Sequence, residues 1–255
     1  MRREARLAGS VVIPIMLVAA CAQGLTTPTS SPAPTAPPAA SPSAVLLAAP
    51  CPDEHRGACR GPLAPGTFIS ILFDPRFAYT VPEGWENPDD DVDTFALWPS
   101  WSARSGRPIG EASAIYVFRD PHAAAQDAAC SERPEPGIGT SATELAAWVE
   151  GLPGLMSTNR APVSVGGLDG VTIDIEIDQD SAPECPWGKP AVPLFAFERG
   201  HFWAIIGDTT MRLAFLDLPT GGTVLVDIEG VDRQEFDRLV GESGSIIRSL
   251  VFATP

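Results

Sequence analysis

The sequence has few of the side chains that enzymes use for acid–base chemistry at neutral pH. It contains three histidines in 255 residues, and histidine is the side chain whose unperturbed pKa lies in that range. It has no P-loop and no strand-placed G-x-G-x-x-G, the glycine patterns that hold phosphate groups. Residues 241–245 approach the G-x-S-x-G nucleophile elbow but end in Ser245 instead of glycine. We therefore predict no cofactor and keep one enzyme alternative, a hydrolase that uses Ser or Asp with His201.

The sequence also lacks an apolar run long enough to span a bilayer. The longest candidate, residues 7–20, has 14 residues and contains Pro14, whereas a membrane-spanning helix needs about 20 apolar residues. Three arginines within residues 1–6 precede this run. A basic segment followed by a short apolar core is typical of a secretory signal peptide. We predict that residues 1–20 are such a signal.

A cysteine follows the apolar run at once, in the order Val18, Ala19, Ala20, Cys21. This stretch resembles the lipobox of bacterial lipoproteins. The resemblance implies that the Cys21 thiol receives a diacylglyceryl group and that the signal peptide is cut before it. Two acyl chains are sufficient for stable anchoring, whereas one chain binds a membrane only marginally. The alternative is a plain secretory signal with an incidental cysteine.

Charged side chains are absent from residues 22–50, which contain seven prolines among Ala, Ser and Thr. Such a composition stays extended and buries no core. We predict a tether with a small cysteine loop over residues 21–62 and one folded domain over residues 63–255. The protein is then extracytoplasmic and held at a bacterial membrane through Cys21.

Basic residues are also few, and the net charge of the chain is −15. Nucleic acid and anionic headgroups are repelled by such a surface. We predict no nucleic-acid partner, a membrane contact through the lipid alone, and a protein or another cell-envelope component as partner.

Four cysteines remain after the lipobox, an even number that favours disulfides in an exported chain. Three pairings are open to them, of which we predict Cys51–Cys59 and Cys130–Cys185. A zinc site that includes His55 is the alternative, but structural zinc usually has paired, closely spaced ligands, and Cys130 and Cys185 stand apart. No metal site is predicted.

Three closely spaced acidic residues form a pattern that could attract a cation. Asp89, Asp91 and Asp93 have the spacing with which an EF-hand loop begins, but that loop needs glycine and glutamate where Thr94 and Ser100 stand. A solvated acidic loop explains these residues equally well.

Strand patterns outnumber helix patterns after residue 63. Short β-branched and aromatic runs predict the strands 66–73, 77–81, 94–98, 112–118, 161–165, 171–178, 193–197, 202–206, 212–218, 223–229 and 246–252. Helices are predicted over 141–152 and 232–243, each with a capping pair at its start, and after Asp120-Pro121. The order lacks the regular alternation of a parallel sheet. We predict an α+β fold, a mostly antiparallel sheet with two or three helices packed on one face.

Two groups of residues are candidate ligand surfaces. In the strand 171–178, Ile173, Ile175 and Ile177 are expected to face the core, and the alternate row Asp174, Glu176, Asp178 to face solvent. Trp98 and Trp101 flank Pro99 and could stack on a sugar or seat a peptide. Plain packing and solvation are the alternatives for both groups.

The stretch FAYTVPEGW, residues 77–85, and the order of elements after it resemble PsbP-like domains. The resemblance implies an antiparallel sheet with flanking helices and a non-catalytic role beside a larger assembly. The leading hypothesis is therefore a lipid-anchored binding or interaction domain. The alternatives are the His201 hydrolase and a small-ligand carrier, which needs an apolar pocket of about 300 Å³ or more between sheet and helices.

Overall fold

A computed structural model describes residues 60–103, 112–186 and 190–253. In chain order the strands are β1 (Gly61–Leu63), β2 (Gly66–Ile69), β3 (Phe77–Val81), β4 (Trp85–Asp90), β5 (Thr94–Pro99), β6 (Ala114–Arg119), β7 (His122–Ala123), β8 (Leu155–Val165), β9 (Leu168–Ile177), β10 (Ala191–Ala196), β11 (Phe202–Ile206), β12 (Thr210–Asp217), β13 (Thr223–Gly230) and β14 (Val251–Phe252). The helices are α1 (Ser100–Ala103), α2 (Ala142–Glu150) and α3 (Arg233–Ser249). Strand β1 begins at Gly61, so the first strand straddles the expected tether boundary at residue 62.

An antiparallel sheet of eight strands forms the middle of the domain, in the order β1-β4-β5-β6-β13-β12-β9-β8. Two sheets of three strands, β11-β10-β7 and β14-β3-β2, accompany it. The fold is a sheet-dominated α+β fold, as predicted.

Other elements pack on both faces of the central sheet, and successive side chains of its strands point alternately into the two layers. Strand β13 shows this pattern: Val224 and Val226 belong to one apolar cluster and Leu225 to the other. The first cluster includes Leu239 of α3 and residues of β2, β3 and β14. The second includes Leu145 of α2 and residues of β10 and β11. The expectation that the helices share one face is therefore wrong, and the domain has three layers.

Local sequence signals define the two longer helices at their first residues. Ser141 caps α2, and its hydroxyl and the Glu144 side chain form the predicted reciprocal capping box. Asp232 caps α3 by accepting the backbone N–H of Glu235. The Glu235 carboxylate accepts a hydrogen bond from the Ser113 hydroxyl instead of closing a box.

The C-terminal strand expected over 246–252 is mostly helical. The helix α3 continues to Ser249, because Phe236, Leu239, Ser243 and Ile246 keep one buried stripe at helical spacing. Only Val251 and Phe252 form a strand, paired with β3.

The helix expected after Asp120-Pro121 is also absent. His122 and Ala123 instead form β7 and pair with Ala196 and Phe195 of β10. The Asp120 carboxylate accepts a hydrogen bond from the backbone N–H of Thr223 in the central sheet, and therefore it does not cap a helix. Tertiary pairing here outweighs the helix propensity of an alanine-rich run.

Candidate binding surface

The helix α3 leaves part of the central sheet uncovered. It packs mainly over β13 and β3, and the strands β12, β9 and β8 extend beyond it to the edge of the sheet. A groove of about 410 Å³ lies between the helix and these strands. We call it the α3 groove, and its lining residues are Asn159, Val163, Thr172, Arg212, Ile228, Val240, Ser243, Gly244, Ile247 and Arg248.

The floor of the α3 groove is apolar. Ile228 is buried, while Val163, Val240 and Ile247 are half-buried and pack against the core cluster beneath α3. Ser243 and Gly244 face the groove from the helix, and their small size leaves space above the floor. The groove is thus an accessible extension of the core, although it is open to solvent on one side.

A partly buried ion pair borders the α3 groove. The Arg212 guanidinium donates two hydrogen bonds to the Asp174 carboxylate, at 2.7 and 2.8 Å, and the Asn159 amide donates a third at 2.9 Å. Burial alone raises the pKa of Asp174, but these hydrogen bonds and the neighbouring charges outweigh it and hold that pKa below its usual value.

The predicted acidic row Asp174, Glu176, Asp178 is therefore not one solvent-facing surface. Asp174 is 7% exposed and paired with Arg212. Glu176 lies 3.8 Å from the Arg233 guanidinium. Asp178 accepts hydrogen bonds from the backbone N–H of Asp180 and the Ser181 hydroxyl, and so caps a turn. The row was expected to face outward because it alternates with isoleucine, but arginines from β12 and α3 reach over it.

Arg248 also lines the groove, and it has no ionic partner in the ranges that the structure describes. Its guanidinium lies along α3 over Gly244: a Cβ atom added to Gly244 would come within 3.3 Å of Arg248 Nη1. The glycine therefore leaves the space in which this guanidinium rests beside the apolar floor.

Trp98 and Trp101 do not form a shared surface. Trp98 is 8% exposed within the α2 cluster, and its indole N–H has no hydrogen-bond partner among the described residues. Trp101 packs against the opposite cluster and donates its indole N–H to Glu242 of α3 at 2.8 Å. The Arg238 guanidinium lies 4.2 Å from the Trp101 ring centroid. These tryptophans are packing residues that attach α1 and β5 to the layers on either side.

His201 is exposed in the turn between β10 and β11. The polar contact of its ring within the described residues is with the Thr94 hydroxyl, at 3.4 Å. A hydrolase would need the ring against a serine or carboxylate in a concavity, and this turn does not supply that arrangement.

The acidic stretch 89–93 has a structural role that the D-x-D-x-D spacing does not reveal. The important residue is Asp90, which lies between the spaced aspartates and is fully buried. Its carboxylate accepts the backbone N–H groups of Ile71, Leu72 and Phe73, at 2.8 to 3.2 Å. This is also why the strand predicted over 66–73 ends at Ile69. Within the described ranges, no cluster of three or more His, Cys, Asp and Glu side chains has the geometry to hold a metal ion.

Two buried carboxyl groups on β13 are a feature that sequence reasoning missed. Asp227 is fully buried and Glu229 is 3% exposed. The indole N–H of Trp203 donates to Asp227 at 3.0 Å, and one oxygen of each acid has no hydrogen-bond partner among the described residues. Burial raises the pKa of Asp227 to about 8, and burial together with the Asp227 charge raises that of Glu229 well above its usual value. Leu225 lies on the same face of β13 as these two acids. Its apolar side chain could have indicated from the sequence that this face is buried.

The predicted cysteine pairing is confirmed for one pair. Cys130 and Cys185 form a disulfide that packs against Ala191 and Ile206. The pair Cys51–Cys59 and the lipobox cysteine Cys21 lie outside the described residues. Among the helices of residues 60–103, 112–186 and 190–253, none is both long and apolar enough to cross a membrane.

Comparisons with known proteins give slight structural likenesses. No family model matches the sequence, and no curated protein matches it either. Similar solved structures include a protein from Bacteroides thetaiotaomicron, with 11% identity and a TM-score of 0.34, covering 75% of this chain and 50% of that one. They also include PsbP (CyanoP) from Synechocystis, with 10% identity, a TM-score of 0.37 and coverage of 78% and 99%. A third is LpqN, described as involved in cell envelope biogenesis of Mycobacterium tuberculosis, with 14% identity, a TM-score of 0.35 and coverage of 77% and 91%.

This chain thus spans half the length of the Bacteroides protein. PsbP belongs to the family that the sequence resembles, but TM-scores at this level assign neither a family nor an activity. The described residues form a three-layered α+β domain. It contains one disulfide and has an open apolar groove beside its longest described helix, α3.

Proposed function

We propose that this protein is a lipid-anchored extracytoplasmic protein of the bacterial cell envelope, and that its folded part is a non-catalytic binding domain. The observation that supports export most directly is the Cys130–Cys185 disulfide inside the domain, because such bonds persist in oxidising compartments outside the cytosol. The lipobox-like sequence Val18 to Cys21 supplies the anchor, and the uncharged residues 22–50 hold the domain away from the lipid surface.

The anchor is tested by the variant Cys21→Ala. Without the thiol no diacylglyceryl group is attached, so we expect the protein to leave the detergent phase and the membrane pellet in cell fractionation. The control Cys59→Ala removes a cysteine outside the lipobox and is expected to remain in the membrane fraction. A Cys21→Ala protein that stays in the pellet with unchanged mass would show that lipid at this thiol is not the anchor.

One observation favours a small-ligand carrier as a second candidate function. That alternative requires an apolar pocket of about 300 Å³ or more between sheet and helices, and the α3 groove has about 410 Å³ in that position. Binding through this groove is compatible with anchoring through Cys21, since the two lie in separate parts of the chain.

A further inference from the structure

The α3 groove combines an apolar floor with one unbalanced charge. Arg212 is neutralised by Asp174 at 2.7 Å, and Arg233 lies close to Glu176 and Asp237. Arg248 has no such partner within the described ranges. The groove therefore contributes one positive charge on a chain with a net charge of −15, and this charge is complementary to a ligand with one negative charge.

The dimensions of the groove limit the apolar part of such a ligand. From Val240 to Arg248 the helix rises by about 12 Å, and the half-buried side chains of Val163, Val240 and Ile247 line the groove beside it. A slender chain fits along this floor with its polar end at Arg248. A strongly acidic peptide fits less well, because the rest of the surface repels it.

The glycine at position 244, which keeps the groove open, lowers the stability of α3. Glycine in a helix interior is less favourable than alanine by about 1 kcal/mol, and the backbone of Gly244 does not need glycine, since its φ lies outside the left-handed region. Gly241, one turn earlier on the same helix, has no atom within 4 Å of an added Cβ and does not line the groove. The two glycines therefore provide a matched pair for substitution.

We propose that the α3 groove binds a free, single-chain amphiphile with one anionic head group, whose chain lies along Val163, Val240 and Ile247 while its head pairs with Arg248. This inference rests on the proposed binding function and names its ligand class. A guanidinium pairs well with either a carboxylate or a phosphate, so the shared chemistry is one anionic group at the end of one apolar chain.

The experiment measures binding of decanoate, decyl phosphate and decyltrimethylammonium to the full chain carrying Cys21→Ala, by calorimetry and NMR shift mapping. We expect at least one anionic probe to bind with a dissociation constant below about 1 mM and to shift signals of α3 and β8. Gly244→Leu fills the groove and is expected to weaken binding by about tenfold or more. Gly241→Leu adds the same side chain in solvent and is expected to leave binding within about twofold.

Further measurements test the role of the head group and distinguish a free amphiphile from a membrane surface. Arg248→Gln is expected to weaken binding of the anionic probes about fivefold or more without improving that of the cation. The proposal is overturned if neither anionic probe binds, if the cation binds as tightly, or if both glycine variants lose binding equally. Binding to phosphatidylglycerol vesicles that survives Gly244→Leu but not Arg248→Gln would also overturn it, because Arg248 would then face a membrane. None of these results depends on the fractionation of Cys21→Ala, so the groove and the anchor can fail separately.

Discussion

The double variant Asp227→Asn, Glu229→Gln is expected to be more stable than the parent protein at pH 8, and by a larger margin than at pH 5. Both carboxyl groups are buried on β13, with the Trp203 indole N–H as donor. In the unfolded chain these acids titrate near pH 4. In the folded protein burial raises the pKa of Asp227 to about 8, and that of Glu229 is also raised.

The sign of the effect follows from the protons that each state holds. Between about pH 4 and pH 8 the folded protein keeps protons that the unfolded chain has released, so unfolding becomes easier as the pH rises. Each group contributes a slope of up to about 1.4 kcal/mol per pH unit. This contribution is fully present below the unfolded pKa and is lost as the pH rises through the folded pKa of Asp227. The amides do not titrate, and the amide that replaces the Asp227 carboxyl group would still offer a carbonyl oxygen to Trp203.

The measurement is the free energy of unfolding from urea denaturation at pH 5, 6, 7 and 8. The difference between variant and parent is expected to grow steadily with pH, because all other titrating groups cancel in that difference. The exposed variant Glu83→Gln serves as the control and is expected to give a difference that stays nearly constant. A double variant that parallels the parent across this range would mean that the two acids are already ionised in the folded protein.

Asp90→Ala is expected to cause the largest loss of stability among single changes to a polar side chain described here. It removes the acceptor for three backbone N–H groups, those of Ile71, Leu72 and Phe73, of which the one at Phe73 is buried and the other two are partly buried. Hydrogen bonds to a charged group contribute about 1.5–3 kcal/mol each and are not additive. We expect the free energy of unfolding to fall by about 3–5 kcal/mol.

Denaturant unfolding of Asp90→Ala, Asp90→Asn and Asp91→Ala tests this expectation. Asp90→Asn keeps one carbonyl acceptor and should lose about half as much. Asp91 is 43% exposed and lies 3.9 Å from Arg199, so its removal should cost less than about 1 kcal/mol. Equal losses for Asp90→Ala and Asp91→Ala would show that the carboxylate of Asp90 does not hold the loop 70–73.

Most strands could be predicted from the sequence, because short runs rich in β-branched and aromatic residues mark them. The ranges of β3 and β11 match the predicted strands, and α2 begins at the predicted cap Ser141. Prediction failed where a partner distant in sequence decides the conformation. Residues 122–123 pair with β10, and the run after Ile69 is bound by Asp90. The candidate surface was found only in part, since Asp174 borders the α3 groove while Trp98 is a core residue.

Local pattern and a small set of cysteines were enough to predict the class of the fold, the cap residues Ser141 and Asp232, and the disulfide between Cys130 and Cys185. Long-range packing decided that each face of the central sheet carries a packed layer, and this buries Asp227 and Glu229, for which the sequence analysis made no prediction. It also decided that Arg212 covers Asp174 and that Arg248 stands unpaired, within the described ranges, beside an apolar floor. The alternation of side chains fixes which residues share a face of a strand, but what packs against that face depends on strands and helices far away in the chain.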